Sequence, residues 1–151
     1  MSDSRALINK ILVELFNDIL DVEAAALRNT EFEKLTVTEF HIIEAIGPDE
    51  DKTMSETAHL TGVTIGTLTT PINRLIRKGA VTRRRDEQDR RVVKISLTDK
   101  GRRAFQHHQA FHEEMTDSIM RMLHPEQNQV LMEALEAIQE FFSQKAKEYG
   151  G

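Results

Sequence analysis

The apolar positions of this chain fall into separate runs, and each run marks an element. Between residues 6 and 27, Ile8, Leu12, Leu15, Ile19, Val22 and Ala26 recur every three or four places with acids opposite, the spacing of one stripe on an α-helix. In TVTEFHIIEAIG, Thr36 precedes the next apolar run and Glu39 follows three places on. That pair is a capping box, which satisfies two free backbone donors at a helix start; Gly47 and Pro48 end the helix. TMSETAHLTGV repeats the signal with Thr53 and Glu56 in a shorter segment broken by Gly62. After one turn, VTIGTLTTPINRLIRKG puts Thr64 at the N-cap, turns Leu68, Ile72, Leu75 and Ile76 inward and closes on Gly79.

Two short helices joined by a tight glycine-containing turn form a helix-turn-helix pattern. The outward face of the second holds Thr67, Thr69, Thr70, Asn73, Arg74 and Arg77, short polar groups and cations that reach base edges and phosphates. Pro71 interrupts it. A proline inside a regular helix costs about 3 kcal/mol, which predicts a bend or a loosened first turn and shifts the expected contacts toward Thr64, Ile65, Gly66 and the threonines after them. AVTRRR and RVVKISL then have strand-like composition, and DEQDR between them reads as a polar turn. A β-hairpin is therefore expected there.

Thr98 next caps a long helix with Asp99 in its first turn, and Ala104, His108, Phe111, Met115, Ile119 and Met122 form its stripe. Pro125 suits the first position of a last helix, whose apolar side is Val130, Leu131, Ala134, Leu135, Ile138, Phe141 and Phe142. These end helices bury their stripes either on one another in a monomer or on a second copy. Because helix-turn-helix modules gain affinity and site length as two-fold dimers, dimerisation is the favoured expectation.

Composition narrows the class. The chain has no cysteine, which removes disulfides, thiolate zinc sites and cysteine nucleophiles. No apolar run nears the roughly 18 residues of a membrane span, and MSDSRALINK has no secretory pattern, so a soluble, cytoplasmic protein is expected. The net charge is −5, but residues 1–52 sum to −7, residues 53–103 to +7 and residues 104–151 to −5. A basic middle between acidic flanks points to one surface for a polyanion. Its centre is RRRDEQDRR, with five arginines and three carboxylates in nine residues at and beside the hairpin tip.

The order helix, helix, helix-turn-helix, hairpin, long helix, helix, with the hairpin written DRRVVKISLTDKG, resembles the MarR family of winged helix-turn-helix regulators. The most specific part is D-x-R, strand, L-T-x-x-G, carried by Asp89, Arg91, Leu97, Thr98 and Gly101. The resemblance implies a mainly α (α+β) fold: a single domain over 1–151, with a winged helix-turn-helix over 36–98, a two-stranded β-wing, and helical dimerisation regions over 1–30 and 99–149. It also implies a homodimer on a pseudo-palindromic double-stranded operator, with recognition helices in the major groove and wings in the minor groove. Arg91 would enter the minor groove, held by Asp89, with Arg90 beside it and the whole triplet from Arg83 to Arg85 near phosphates. A narrow minor groove concentrates negative potential and attracts a guanidinium.

A finer resemblance lies in FNDILDVEAAALRNTEFEKLTVTEFHIIEAIG, TIGTLTT and EQDRRVV, which look like the branch that represses fatty-acid synthesis in Gram-positive bacteria. It implies acyl-acyl carrier protein as co-repressor, an apolar acyl pocket, and a basic landing site for which Arg102 and Arg103 are available. No cofactor is required on this reading. Repression would work by occluding a promoter.

The histidines open an alternative. His108 and His112 are four apart on one helix and can share a metal, with His41 and Glu23 on other helices. The set resembles the zinc site of zinc-sensing members of the same family; equally, the two histidines read as partly buried core. Enzyme classes are disfavoured: HQAFH has Gln109 where a metallohydrolase needs Glu, and no nucleophile elbow, phosphate loop or dinucleotide fingerprint is present. A helical interaction module that does not bind DNA is the remaining alternative.

Overall fold

A computed structural model of the chain describes residues 2–149. The elements in chain order are α1 (Ser2–Ala26), α2 (Val37–Ile46), β1 (Lys52–Thr53), α3 (Met54–Thr61), α4 (Ile65–Arg77), β2 (Val81–Arg85), β3 (Val93–Leu97), α5 (Asp99–Met122) and α6 (Pro125–Tyr149). They group into two compact units that meet in sequence at Phe111 and His112, inside α5.

In the first unit the local signals became structure where expected. Thr36 and Glu39 form a full capping box at α2: Oγ1 of Thr36 accepts from the Glu39 amide at 3.2 Å, and the Glu39 carboxylate accepts from the Thr36 amide at 2.9 Å. Thr53 and Glu56 do the same at α3, at 3.1 and 2.7 Å. Recognition helix α4 is capped by Thr64, which accepts from the Thr67 amide at 3.1 Å. It runs unbroken through Pro71 to Arg77, so the proline removes one donor without ending the helix, and the first turn is closed rather than loose. The helix ends in a Schellman motif: Gly79 lies at φ +76°, its amide bonds to the Ile76 carbonyl, and the Ala80 amide bonds to the Leu75 carbonyl.

The sheet differs from expectation. It has three antiparallel strands in the order β1-β3-β2, not two. β1 pairs Lys52 with Ile95 and Thr53 with Lys94. A strand of two residues has no alternation to read, so period analysis is blind to it. β2 and β3 pair Val81 with Leu97, Arg83 with Ile95 and Arg85 with Val93.

The core joins α2, α3, α4 and the sheet through Phe40, Ile43, Ile46, Leu68, Ile72, Leu75 and Ile95, all essentially sealed from solvent. It extends to Leu27, Phe32, Leu35 and Ala104. Burying each large side chain contributes about 1.5–3 kcal/mol. By contrast, many large apolar residues of α1 stay exposed, Ile8, Leu12, Leu15 and Phe16 among them. In the second unit α6 likewise exposes Val130, Leu135, Ile138, Phe141 and Phe142. No helix of the described residues is long and apolar enough to cross a membrane.

One close approach fixes where α5 begins. Thr98 donates its amide to the Ala80 carbonyl at 3.0 Å and its hydroxyl to the Gly79 carbonyl at 2.6 Å, and its Oγ1 accepts from the Gly101 amide at 3.1 Å. A Cβ on Gly101 would lie 2.0 Å from the Ala80 carbonyl oxygen and 3.1 Å from Leu97 Cβ. Helix propensity alone favours alanine over glycine by about 1 kcal/mol. The clash reverses that sign, so Gly101→Ala is expected to lose about 1–3 kcal/mol, read as a lower denaturant midpoint. An unchanged or higher midpoint would show that the corner relaxes freely.

Candidate nucleic-acid interface

The surface that gathers the expected contacts is built from the first turns of α4 and from the wing. Thr64, Ile65, Gly66, Thr67 and Thr70 are exposed on it, while Thr69 and Asn73 are half-buried. Capping fixes α4's N-terminus, whose unpaired amides and dipole suit an anion. Its hydroxyls are less available than composition suggested. Thr64 and Thr67 share a hydrogen bond between their Oγ1 atoms at 2.9 Å, and Thr69 donates back to the Ile65 carbonyl at 2.9 Å. This is the local competition that threonine offers in a helix.

Pleating divides the arginine triplet of β2. Arg84 faces the opposite way from Arg83 and Arg85 and pairs with Asp51, its Nε donating at 2.9 Å. Arg84 therefore fastens the wing to the preceding loop, and the expectation that the whole triplet lies along phosphates holds at most for its two outer members. Arg83 donates from Nη1 to Asn73 Oδ1 at 3.2 Å, which ties the wing strand to the recognition helix. Arg85 donates to the Arg90 carbonyl across the hairpin at 3.3 Å.

The tip is organised by its carboxylates. Asp86 pairs through Oδ1 with Lys94 at 3.1 Å and accepts the Asp89 amide through Oδ2 at 3.3 Å. Asp89 accepts the Arg91 amide at 3.0 Å and Arg91 Nε at 3.1 Å on Oδ1, with Nη2 3.3 Å from Oδ2. The Arg91 side chain is 92 % exposed, so Asp89 orients a guanidinium that otherwise stands in solvent. Both carboxyls sit below the usual aspartate range: Asp89 through its side-chain hydrogen bond with Arg91, Asp86 through that with Lys94.

Between wing and recognition helix lies a cleft of about 460 Å³, lined by Thr53, Met54, Ser55, Ile65, Thr69, Arg83, Arg91, Val92 and Val93. It brings two of the expected cations together with Ile65 and Thr69. Met54, Ser55 and Val92 were not expected there; the capping box at Thr53, which marks a helix N-terminus, was the one available signal for Ser55. Arg77 and Arg90 are exposed. Arg74 turns toward Glu39, with Nε 3.5 Å from Oε1.

The histidine cluster forms in part. Glu23, His41 and His108 bring one ligand atom each within 4.8 Å of one another, with Glu23 and His108 buried. One carboxylate and two imidazoles are a donor set that suits zinc. His112, the fourth residue of the expected set, belongs to the second unit. Next to Glu23 and His108 is a cavity of about 10 Å³, lined also by Leu27, Phe40, His107 and Phe111. That is room for about one water, against roughly 300–1,000 Å³ for pockets that hold larger ligands. The cations expected to receive an acidic carrier are engaged: Arg103 grips Glu31 through two hydrogen bonds of 2.9 and 3.0 Å, and Arg102 donates to the Leu97 carbonyl and pairs with Asp99.

Comparison with known proteins agrees with this geometry. Residues 29–108 match the family model described as transcriptional regulator SarA/Rot. The chain is 29% identical over 117 residues to the uncharacterized HTH-type transcriptional regulator YpoP of Bacillus subtilis, covering 78% of this chain and 75% of that one. Among solved structures, Streptococcus pneumoniae FabT in complex with DNA superposes with a TM-score of 0.88 at 37% identity, covering 93% of this chain and 98% of that one. The S. aureus MepR–DNA complex shares the fold, with a TM-score of 0.65, 21% identity, and 85% and 96% coverage.

The clasp at the wing tip can be tested by titration. Because the folded pKa of Asp89 is lowered, its interaction with Arg91 is complete above the ordinary aspartate value and is lost as pH falls through the lowered one. Replacing Arg91 by alanine is expected to raise the Asp89 pKa toward the ordinary value in carboxyl-carbon NMR titrations, while Asp86 stays low. Identical Asp89 titrations in the two proteins would remove the clasp.

Proposed function

We propose that this chain, which belongs to the SarA/Rot family of transcriptional regulators and is a DNA-binding protein of MarR-like winged helix-turn-helix type, is a homodimeric repressor of fatty-acid-synthesis genes that answers to acyl-acyl carrier protein. The observation that carries the finer reading is the likeness to FabT along nearly the whole chain, wing and end helices included. It adds to the resemblance of three separate stretches of sequence to that branch. The homodimer is supported by the apolar faces that α1 and α6 leave exposed in one copy, since faces this apolar are found covered in stable proteins.

On this reading each recognition helix enters a major groove with its capped N-terminus and threonine face, and Arg91 enters the flanking minor groove. Repression follows from occupation of the promoter. An acyl chain does not fit the 10 Å³ cavity beside His108, so its binding has to part α1, α2 and the first half of α5. Because α5 starts against the end of α4, that movement would reset the recognition helices.

A second reading keeps the same DNA-binding surface but makes zinc the effector. The convergence of Glu23, His41 and His108 favours it. Zinc held there would be bound by those three side chains and would join α1, α2 and α5 by charge rather than by apolar packing.

Selection of genomic fragments by the purified protein, with and without acyl carrier protein loaded with fatty acid, tests the first reading. The expected outcome is recovery of palindromic sites beside lipid-synthesis genes, with yield changed by the loaded carrier. Fragments unrelated to lipid synthesis would overturn it. On a recovered duplex, Arg91→Ala is expected to weaken binding much more than Lys145→Ala, and affinity should fall steeply with salt. For the second reading, calorimetric titration with zinc is expected to give heat in the parent protein and none in the His108→Ala, His112→Ala double variant; equal heats would remove the site.

A further inference from the structure

Glu39 is fully buried, yet its two carboxylate oxygens are treated unequally. Oε2 accepts the Thr36 amide at 2.9 Å and Lys78 Nζ at 2.6 Å. Lys78 is held a second time, donating to the Lys34 carbonyl at 2.7 Å, while its own carbonyl accepts Lys100 Nζ at 3.1 Å. Among the described residues Oε1 receives no hydrogen bond. The cation beside it is Arg74, whose Nε is 3.5 Å away and whose side chain remains 48% exposed.

A buried carboxylate oxygen without a donor is costly, and a half-satisfied ion pair holds its partner loosely. Arg74 lies on the same helical stripe as Thr67, Thr70 and Arg77, since positions three and four apart share a face. One guanidinium therefore has two anions in reach: the carboxylate beneath it and any phosphate brought to the recognition face. We propose that Glu39 is a positioning residue that, through Arg74, sets how much of the recognition helix's positive charge DNA meets. Lys78 is the fixed member of the network and Arg74 the divided one. The inference rests on the DNA-binding reading and adds to it a group that no DNA reaches.

The test compares wild type with Glu39→Gln, Arg74→Gln and the double variant. Glutamine keeps an oxygen for the Thr36 amide and removes the charge that holds Arg74. On a duplex recovered by the selection above, the slope of log affinity against log salt changes by about 0.9 for each phosphate contact. Glu39→Gln is expected to steepen the slope by about that much per subunit, and Arg74→Gln should abolish the gain in that background while changing the wild-type slope much less. Equal slopes in wild type and Glu39→Gln, or an equal flattening by Arg74→Gln in both backgrounds, would overturn the proposal. A DNA-free arm separates it from the parent reading. Solvent exchange of the Arg74 Nε proton, followed by nitrogen NMR, should be slower than that of Arg77 in wild type and fast in Glu39→Gln. Equal exchange at Arg74 and Arg77 in wild type overturns the proposal even if the variant fails to fold. Slow exchange in a wild-type protein with no salt-sensitive DNA affinity would instead sink the DNA reading, and the proposal with it.

Discussion

The corner where the recognition helix turns into the wing is fastened by backbone contacts so close that the first turn of α5 has to carry a residue lacking a side chain, Gly101. The Schellman turn at Gly79 presents the Gly79 and Ala80 carbonyls outward, and Thr98 takes both, one with its hydroxyl and one with its amide. Gly101 then packs directly on Ala80. Three elements thus share one joint: α4 arrives at it, β2 leaves it, and α5 starts from it. Because interiors are close-packed and transmit displacement rather than absorb it, a shift in the first turns of α5 reaches α4 and the wing together. The side-chain bond from Arg83 to Asn73 adds a second tie between those two parts.

Around that joint the positive charge is sorted into anchors and free groups. Arg84, Lys94, Arg102 and Arg103 each meet a carboxylate of the protein itself, at Asp51, Asp86, Asp99 and Glu31. Lys78 is held by Glu39 beneath the recognition helix. Surface pairs of this kind contribute little stability one by one, but they decide which cations project and in what direction. Arg91, oriented by a carboxylate two residues away and otherwise in solvent, is the clearest projecting group. The carboxylates mixed into RRRDEQDRR are thus what turns a cluster of arginines into a shaped surface.

Much of this was legible along the chain because the responsible interactions are local. A capping box spans four residues, and both boxes could be read at Thr36 and Thr53; the Asp89–Arg91 clasp spans three. What could not be read depends on partners far apart in sequence. Arg103 is equivalent to Arg102 on paper, yet one reaches Glu31 across the fold and the other stays beside Asp99. Strand β1 is too short to have a pattern, and it exists because β3 offers it an edge. The spacing of His108 and His112 could be read along one helix, whereas the meeting of His108 with Glu23 and His41 depends on the approach of α1 and α2.

By itself the sequence determined the elements, their caps and order, and the concentration of positive charge at the hairpin, because periodicity and short-range hydrogen bonding act between neighbours. Only the tertiary structure decided which cations are left for a ligand, how little space is enclosed beside His108, and that Glu39 lies under the recognition helix with one oxygen unbonded. Those outcomes depend on burial and on distances between groups tens of residues apart, and both come into being only when the helices and the sheet close on a common core.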